Sequence, residues 1–215
     1  MKTGKTPSPW KTERTDEVAD CRVFRVQRRT SRRISDGTGG DWYVVDTRDF
    51  VNVVALTPRR ELVLVRQFRH GVDALSLELP GGMVDAGEDP LAAGLRELRE
   101  ETGFAGDGGE VFAWCHPNPA IMNNRCHYVF APGVEPVSET DWDEHEEMEI
   151  LLMPFGEVAE ACRRGDFTHA LTLAALQRFS NFYPSPAHPP PPPGRDFPGA
   201  RRLPDRAQGS KRTEA

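Results

Sequence analysis

Apolar residues in this chain fall in short runs, and the spacing within each run predicts an element. Phe50-Val-Asn-Val-Val-Ala-Leu56 is rich in β-branched residues and reads as a strand. Pro58-Arg-Arg-Glu61 supplies a turn and Leu62-Val-Leu-Val-Arg-Gln-Phe68 returns, so a hairpin is the simplest reading. Leu75–Leu79 is a further short strand, stopped by Pro80-Gly81-Gly82. Strands are expected again near Val111–Cys115, His127–Ala131 and Glu149–Met153. Upstream, residues 18–50 alternate apolar and polar side chains, as in Cys21-Arg-Val-Phe-Arg-Val and Trp42-Tyr-Val-Val. With the turn Asp36-Gly-Thr-Gly-Gly40 between them, they predict a small antiparallel strand unit.

The period then changes to that of a helix. Leu91, Leu95 and Leu98 stand at i, i+4 and i+7. Asp89-Pro90 is a start signal, because Asp caps free N–H groups and Pro suits the first helical position. Gly103 is a stop. Phe155–Arg164 and His169–Phe182 read as two more helices broken at Gly165. Strands and helices mix without strict βαβ alternation, which predicts a mixed sheet packed between helices. Residues 1–17 are polar and read as a flexible N-terminus with an anchor at Trp10, 18–50 as the strand unit and 51–183 as the main domain. Residues 184–215, with Pro184, Pro186 and Pro189–Pro193, read as a disordered or polyproline tail. It is either dispensable or a ligand for a proline-binding domain.

Composition narrows the classes. A formal charge of −6 over 215 residues argues against a nucleic-acid-binding face. No apolar run reaches membrane-spanning length, and Met1–Trp10 has no apolar core of a leader. Cys21, Cys115, Cys126 and Cys162 form no CxxC pair. The expectation is a cytoplasmic protein with reduced thiols. His70, His116, His127 and His169 match no ligand spacing and read as structural or surface residues.

The candidate chemistry lies between Gly82 and Phe104. Gly82 is followed by Glu88, then Arg96-Glu97-Leu98, then Glu100-Glu101, then Gly103-Phe104. On a helix, Glu97, Glu100 and Glu101 stand at i, i+3 and i+4, which puts three carboxylates on one face. Like charges so placed need a cation among them, and oxygen-only ligands suit a hard divalent ion, magnesium or manganese. Gly81 and Gly82 let backbone approach the same ion. Arg96 can pair with Glu88 or Glu97 and fix the loop to the helix. Three glutamates alone would read as a solvated helix face. The whole order, with seven fixed and two apolar positions, would arise by chance in roughly one in 10^8–10^9 windows.

This order resembles the signature of the Nudix family, Gx5Ex7REUxEExGU with U apolar, at every position. The resemblance implies an α/β/α sandwich with a mixed sheet. It also implies metal-dependent hydrolysis of a nucleoside diphosphate linked to another group. Family metal ligands carry over to Glu97, Glu100 and Glu101, with the Gly81 carbonyl as an additional ligand. Gly82, Glu88, Arg96 and Gly103 become structural members of the motif.

Over residues 50–182 the chain also resembles the ADP-ribose pyrophosphatase branch, through Val65-Arg-Gln-Phe-Arg69 and Leu77-Glu-Leu-Pro-Gly-Gly82. Pro119, sixteen residues beyond Gly103, is similar to a proline of that branch, and Arg69 to an arginine that contacts substrate. Arg69 can equally be a strand-end surface charge. The acidic stretch Asp141–Glu147 is similar to a loop carrying the general base, with Glu144 and Glu146 as candidates and Glu100 as fallback. A solvated acidic loop is the alternative. Asn118–Asn124 departs from the Gly- and Ser-rich sequence common in that branch, and Asn123 and Asn124 are either substrate contacts or turn residues. The implied reaction converts ADP-ribose to AMP and ribose 5-phosphate. Another nucleotide sugar, such as a GDP-sugar, or a non-catalytic binding domain are the alternatives. The 18–50 unit resembles an element exchanged between subunits, which implies a homodimer.

Overall fold

The computed structural model describes residues 6–142 and 147–183. The expected proline-rich tail at 184–215, together with Glu144 and Glu146, lies outside the described residues. Eleven strands, three α-helices and a 3-10 turn at Phe155–Glu157 are present among the described residues: β1 Trp10–Asp20, β2 Phe24–Arg33, β3 Gly39–Thr47, β4 Phe50–Leu56, β5 Glu61–Arg69, β6 Ala74–Glu78, α1 Pro90–Thr102, β7 Phe104–Ala105, β8 Glu110–Cys115, β9 Cys126–Pro132, β10 Glu135–Pro136, β11 Met148–Pro154, α2 Val158–Arg164 and α3 Ala170–Phe182.

The main sheet runs β11-β5-β4-β9-β8, with β6 also on β5. β4 and β9 are parallel and the other pairs antiparallel. Both faces are covered, which explains why β4 is apolar at nearly every position rather than at alternate ones. Val51, Val53 and Ala55 pack with Ala93 and Leu98 of α1 on one side. Val54 and Leu56, with Leu62 and Leu64 of β5, pack with Val158, Ala161, Leu176 and Phe179 of α2 and α3 on the other. The result is the expected α/β/α sandwich.

Two sequence expectations are corrected. Residues 1–17 are expected to be flexible and the strand unit to start at 18, yet Trp10–Asp20 form β1, paired with β2 from Trp10↔Arg33 to Asp20↔Arg25. Acidic side chains on β1 meet arginines on β2, as in Arg28 Nη2 to Asp16 at 3.0 Å and Arg32 Nε to Glu13 at 3.1 Å. These cross-strand charges replace the apolar alternation that marks most strands. The β4–β5 hairpin also does not zip up. It pairs only at Leu56↔Leu62, after which β4 and β6 diverge along the same edge of β5. The segment after β6 fills the opening: Val53 N donates to Pro80 O at 2.8 Å and Val51 N to Gly82 O at 2.9 Å.

β1, β2 and β3 form a separate three-stranded sheet. It joins the body where Val45 N donates to Ile121 O at 2.7 Å. No helix among the described residues is long and apolar enough to cross a membrane.

Candidate active site

Helix α1 carries the site and its ends explain its register. Asp89 accepts from the Leu91 and Ala92 amides, Pro90 opens the helix, and Gly103 closes it in the left-handed region at φ 73°. The deeply buried positions are Ala93, Gly94, Leu98, Glu101 and Thr102. Leu91 and Leu95 only border the core. The buried stripe therefore lies one step around from the leucine face expected, and it takes Glu101 inward with it.

Glu101 is 5% exposed. Its carboxylate accepts from the Gly81 amide at 2.8 Å. Pro80 and Gly82 bond to β4, so Gly81 is the residue of this stretch turned to the helix. A β-carbon on Gly81 would come within 2.0 Å of Val51 O, and one on Gly82 within 2.5 Å of the Glu97 carboxylate. Both glycines are thus required by close approach, one to the sheet and one to the helix.

Arg96 ties the motif together. Its Nε and Nη2 grip both oxygens of Glu88 at 3.0 and 3.1 Å. Its Nη1 donates to Glu97 at 3.0 Å and Glu100 at 2.9 Å, and Nη2 also reaches Met83 O at 3.2 Å. These hydrogen bonds, Glu88 first, raise the Arg96 pKa further above its ordinary value against the opposing effect of burial. The Glu88 carboxyl is lowered by Arg96 and then by the Asp85 amide. The sequence offered Glu88 or Glu97 as the partner, and the guanidinium takes both.

The three metal-ligand candidates share one helix but are engaged with different partners. Arg96 draws Glu97 and Glu100, while Glu101 turns to Gly81. No three His, Cys, Asp or Glu side chains form a ready ligand set among the described residues. In donor type and charge the cluster still fits a hard divalent cation, since it offers carboxylate oxygens beside glycine backbone.

The chain after β10 covers the last turn of α1. Val137 N and Ser138 N donate to Gly103 O, and Asp141 N donates to Glu100 O at 2.9 Å. Trp142 Nε1 donates to Glu101 O at 2.8 Å. Sequence reasoning passed over Trp142, although an aromatic inside an acidic stretch is itself an anchoring signal.

A cavity of about 490 Å³ opens beside Gly81, Gly82 and Met83, with Asn52, Arg69 and His169 among its walls. Arg69 therefore shares a cavity with the motif. Its Nε and Nη2 fork onto Glu78 at 2.9 and 2.7 Å. Burial pushes the Glu78 carboxyl up, but the hydrogen bonds and charge of Arg69, with His169, outweigh it and the net shift is downward. Glu78 lies in the stretch Leu77–Gly82 that carries the resemblance, but a lone charge in a short strand reads as exposed, and His169, just before α3, matched no ligand spacing.

The remaining candidates lie elsewhere. Pro119 is exposed on the turn Asn118–Met122 and is not in the wall of that cavity. Asn124 is buried and its Nδ2 donates to Arg48 O at 2.9 Å, while Asn123 bonds Thr47 N and Asp46. Both asparagines staple the loop to the β3–β4 connection. His116 contacts Asn124 O and His127 pairs with Asp49 at 2.9 Å, which agrees with structural roles.

Known proteins give the same picture. A family model described as NUDIX domain matches residues 46–176, more than half of the chain. The chain is 26% identical over 168 residues to the methanol dehydrogenase activator of Bacillus methanolicus, covering 78% of this chain and 90% of that one. It is 27% identical over 128 residues to the ADP-ribose pyrophosphatase of Bacillus subtilis, covering 59% and 69%. It is 33% identical over 120 residues to the ADP-sugar pyrophosphatase of Mus musculus, covering 55% and 51%. Among solved structures, an ADP compounds hydrolase superposes with a TM-score of 0.73 over 83% of this chain and 96% of that one, at 24% identity, a likeness of fold. With the family model spanning the sheet and α1, and every position of the Gly82–Phe104 signature filled, this chain belongs to the NUDIX family.

Proposed function

We propose that this chain hydrolyses the diphosphate bond of a nucleoside diphosphate linked to another group, with ADP-ribose giving AMP and ribose 5-phosphate. The observation that carries this reading is the contact of two helix carboxylates with glycine backbone at the cavity edge: Glu97 against Gly82 and Glu101 against Gly81. Support for ADP-ribose comes from relatives named ADP-ribose pyrophosphatase and ADP-sugar pyrophosphatase.

A divalent cation, magnesium or in its place manganese, held by Glu97, Glu100, Glu101 and the Gly81 carbonyl, would neutralise diphosphate charge and acidify the attacking water. Arg69 supplies fixed positive charge from the wall of the same cavity. A glutamate takes the water proton as the new P–O bond forms and the bridging P–O bond breaks. Glu144 or Glu146 is the base in this proposal, with Glu100 as fallback. Its support is that Trp142, two residues before Glu144, is bonded to Glu101 O. Pro119, absent from the cavity wall of its own chain, would serve a partner subunit's site. The exposed apolar residues of the N-terminal sheet, Trp10, Val18, Trp42 and Tyr43, support such a homodimer. Free thiols at Cys21, Cys115, Cys126 and Cys162 support a reducing, cytoplasmic setting.

The test is a panel of nucleoside diphosphate derivatives with magnesium, read by product identity, with Glu101→Gln as the control. ADP-ribose cleaved to AMP and ribose 5-phosphate by wild type, and not by the control, is the expected result. Preferential cleavage of a GDP-sugar would move the substrate, and no magnesium-dependent turnover of any member would refute the enzyme.

A further inference from the structure

We infer that Glu78 is a positioning residue for the reaction: it holds the Arg69 guanidinium in one orientation at the cavity wall, as a prepared anchor for the substrate's diphosphate. The inference rests on the diphosphate-hydrolase reading above and adds to it a residue from outside the signature.

The argument starts from an asymmetry in burial. The Glu78 side chain is 1% exposed while that of Arg69 is 43% exposed. The carboxylate is the hidden partner and the guanidinium the presented one. Two parallel hydrogen bonds, Nε to Oε1 at 2.9 Å and Nη2 to Oε2 at 2.7 Å, fix the plane of the guanidinium as well as its position. A lysine on the same stem could match the charge but not the fork.

Glu78 is itself held from a third element. His169 Nδ1 lies 3.4 Å from Oε2 and 3.1 Å from Thr172 Oγ1, and Leu79 N donates to that same Oγ1 at 3.2 Å. The base of the anchor is therefore set by α3, and its tip by β5.

A purely structural role explains the pair poorly. β5 and β6 already run in register over five residue pairs, Val65↔Glu78 to Arg69↔Ala74, so the hairpin does not need the ion pair to form. Buried ion pairs are also an inefficient source of stability compared with apolar packing. What the pair does provide is a long, flexible cation whose rotamers are restricted before substrate arrives, which lowers the entropy lost on binding.

The experiment is a double-mutant cycle on the full chain with Glu78→Gln, Arg69→Ala and both together. KM and kcat for ADP-ribose are measured at saturating magnesium, with a thermal melt of each variant. Glu78→Gln is expected to raise KM roughly 10-fold with kcat changed by less than about 3-fold. The double variant should be no worse than Arg69→Ala alone, because Glu78 acts through Arg69. Independent effects that multiply in the double variant, or a wild-type KM in folded Glu78→Gln, overturn the inference. Should Glu78→Gln fail to fold, Arg69→Lys decides: a KM as high as that of Arg69→Ala supports the fork, and a wild-type KM overturns it. The parent reading fails separately, through a wild type that turns over nothing. In that case the same cycle is read in the calorimetric Kd for ADP-ribose, where additive losses, or no binding by wild type, overturn it.

Discussion

The Glu97 carboxylate occupies the space that a side chain on Gly82 would need: a β-carbon there would stand 2.5 Å from the carboxylate carbon. The first glycine of the motif and its first helix glutamate, fifteen residues apart, are therefore one structural unit. Gly82→Ala should push the Glu97 carboxylate aside while leaving the core untouched. A displacement on the order of 1 Å at a catalytic group costs about 10²-fold in rate. The expected outcome is a loss of that size in kcat/KM with a melting temperature near that of wild type. Full activity in a folded Gly82→Ala chain would separate Glu97 from the chemistry.

Arg96 balances Glu88, Glu97 and Glu100 at once. Its removal leaves three acidic groups facing one another. Allowing for its partial exposure, Arg96→Met should destabilise the fold by about 2 kcal/mol. Magnesium should recover part of this, because a bound cation replaces the lost charge and stabilises the folded state by mass action. Melting curves in EDTA and in magnesium check this. No magnesium shift in either protein would argue that the carboxylates bind no ion, and an equal shift in both would show that the ion does not replace the lost charge.

The base is located by comparing Glu144→Gln, Glu146→Gln and Glu100→Gln for kcat at saturating magnesium. Loss of a general base lowers rate by about 10²–10⁴-fold. One loop variant is expected to show that loss. Full kcat in both loop variants would remove the loop from the mechanism and leave Glu100.

Stability should weaken on the acid side in two stages. Burial lowers the His169 pKa below its ordinary 6.5, with Glu78 opposing and Arg69 reinforcing the shift. The unfolded chain then binds this proton at higher pH than the folded one, so stability falls as pH drops below 6.5. Glu78, lowered overall from 4.5, stabilises the fold above 4.5 and loses that contribution as pH falls through its folded value. Melting temperature measured from about pH 8 down to about pH 3 should decline from the histidine range onward, and His169→Gln should remove the upper stage. A wild-type curve flat between about pH 7 and pH 5 would contradict the burial of a neutral His169.

Local signals carried most elements. β4 was legible as an unbroken apolar run because both its faces are covered. Helix α1 was legible from Asp89-Pro90 at one end and Gly103 at the other. β1 was not, since its polar residues gain strand geometry only from the arginines of β2. The opening between β4 and β6 was equally hidden, because hydropathy does not say which strand edge a neighbour will take.

The sequence by itself determined the composition of the site: three glutamates on one helical face, an arginine one position before the first of them, and glycines ahead of the helix. Helix periodicity turns such short spacings directly into geometry. Only the tertiary structure decided what those groups meet. Gly81 and Gly82 reach Glu101 and Glu97 because the segment after β6 fills a gap in the sheet. Arg69, Glu78 and His169 come from β5, β6 and the start of α3 and meet at one carboxylate. Contacts of that kind depend on how layers pack, and residues a hundred positions apart carry no local spacing from which the meeting could be read.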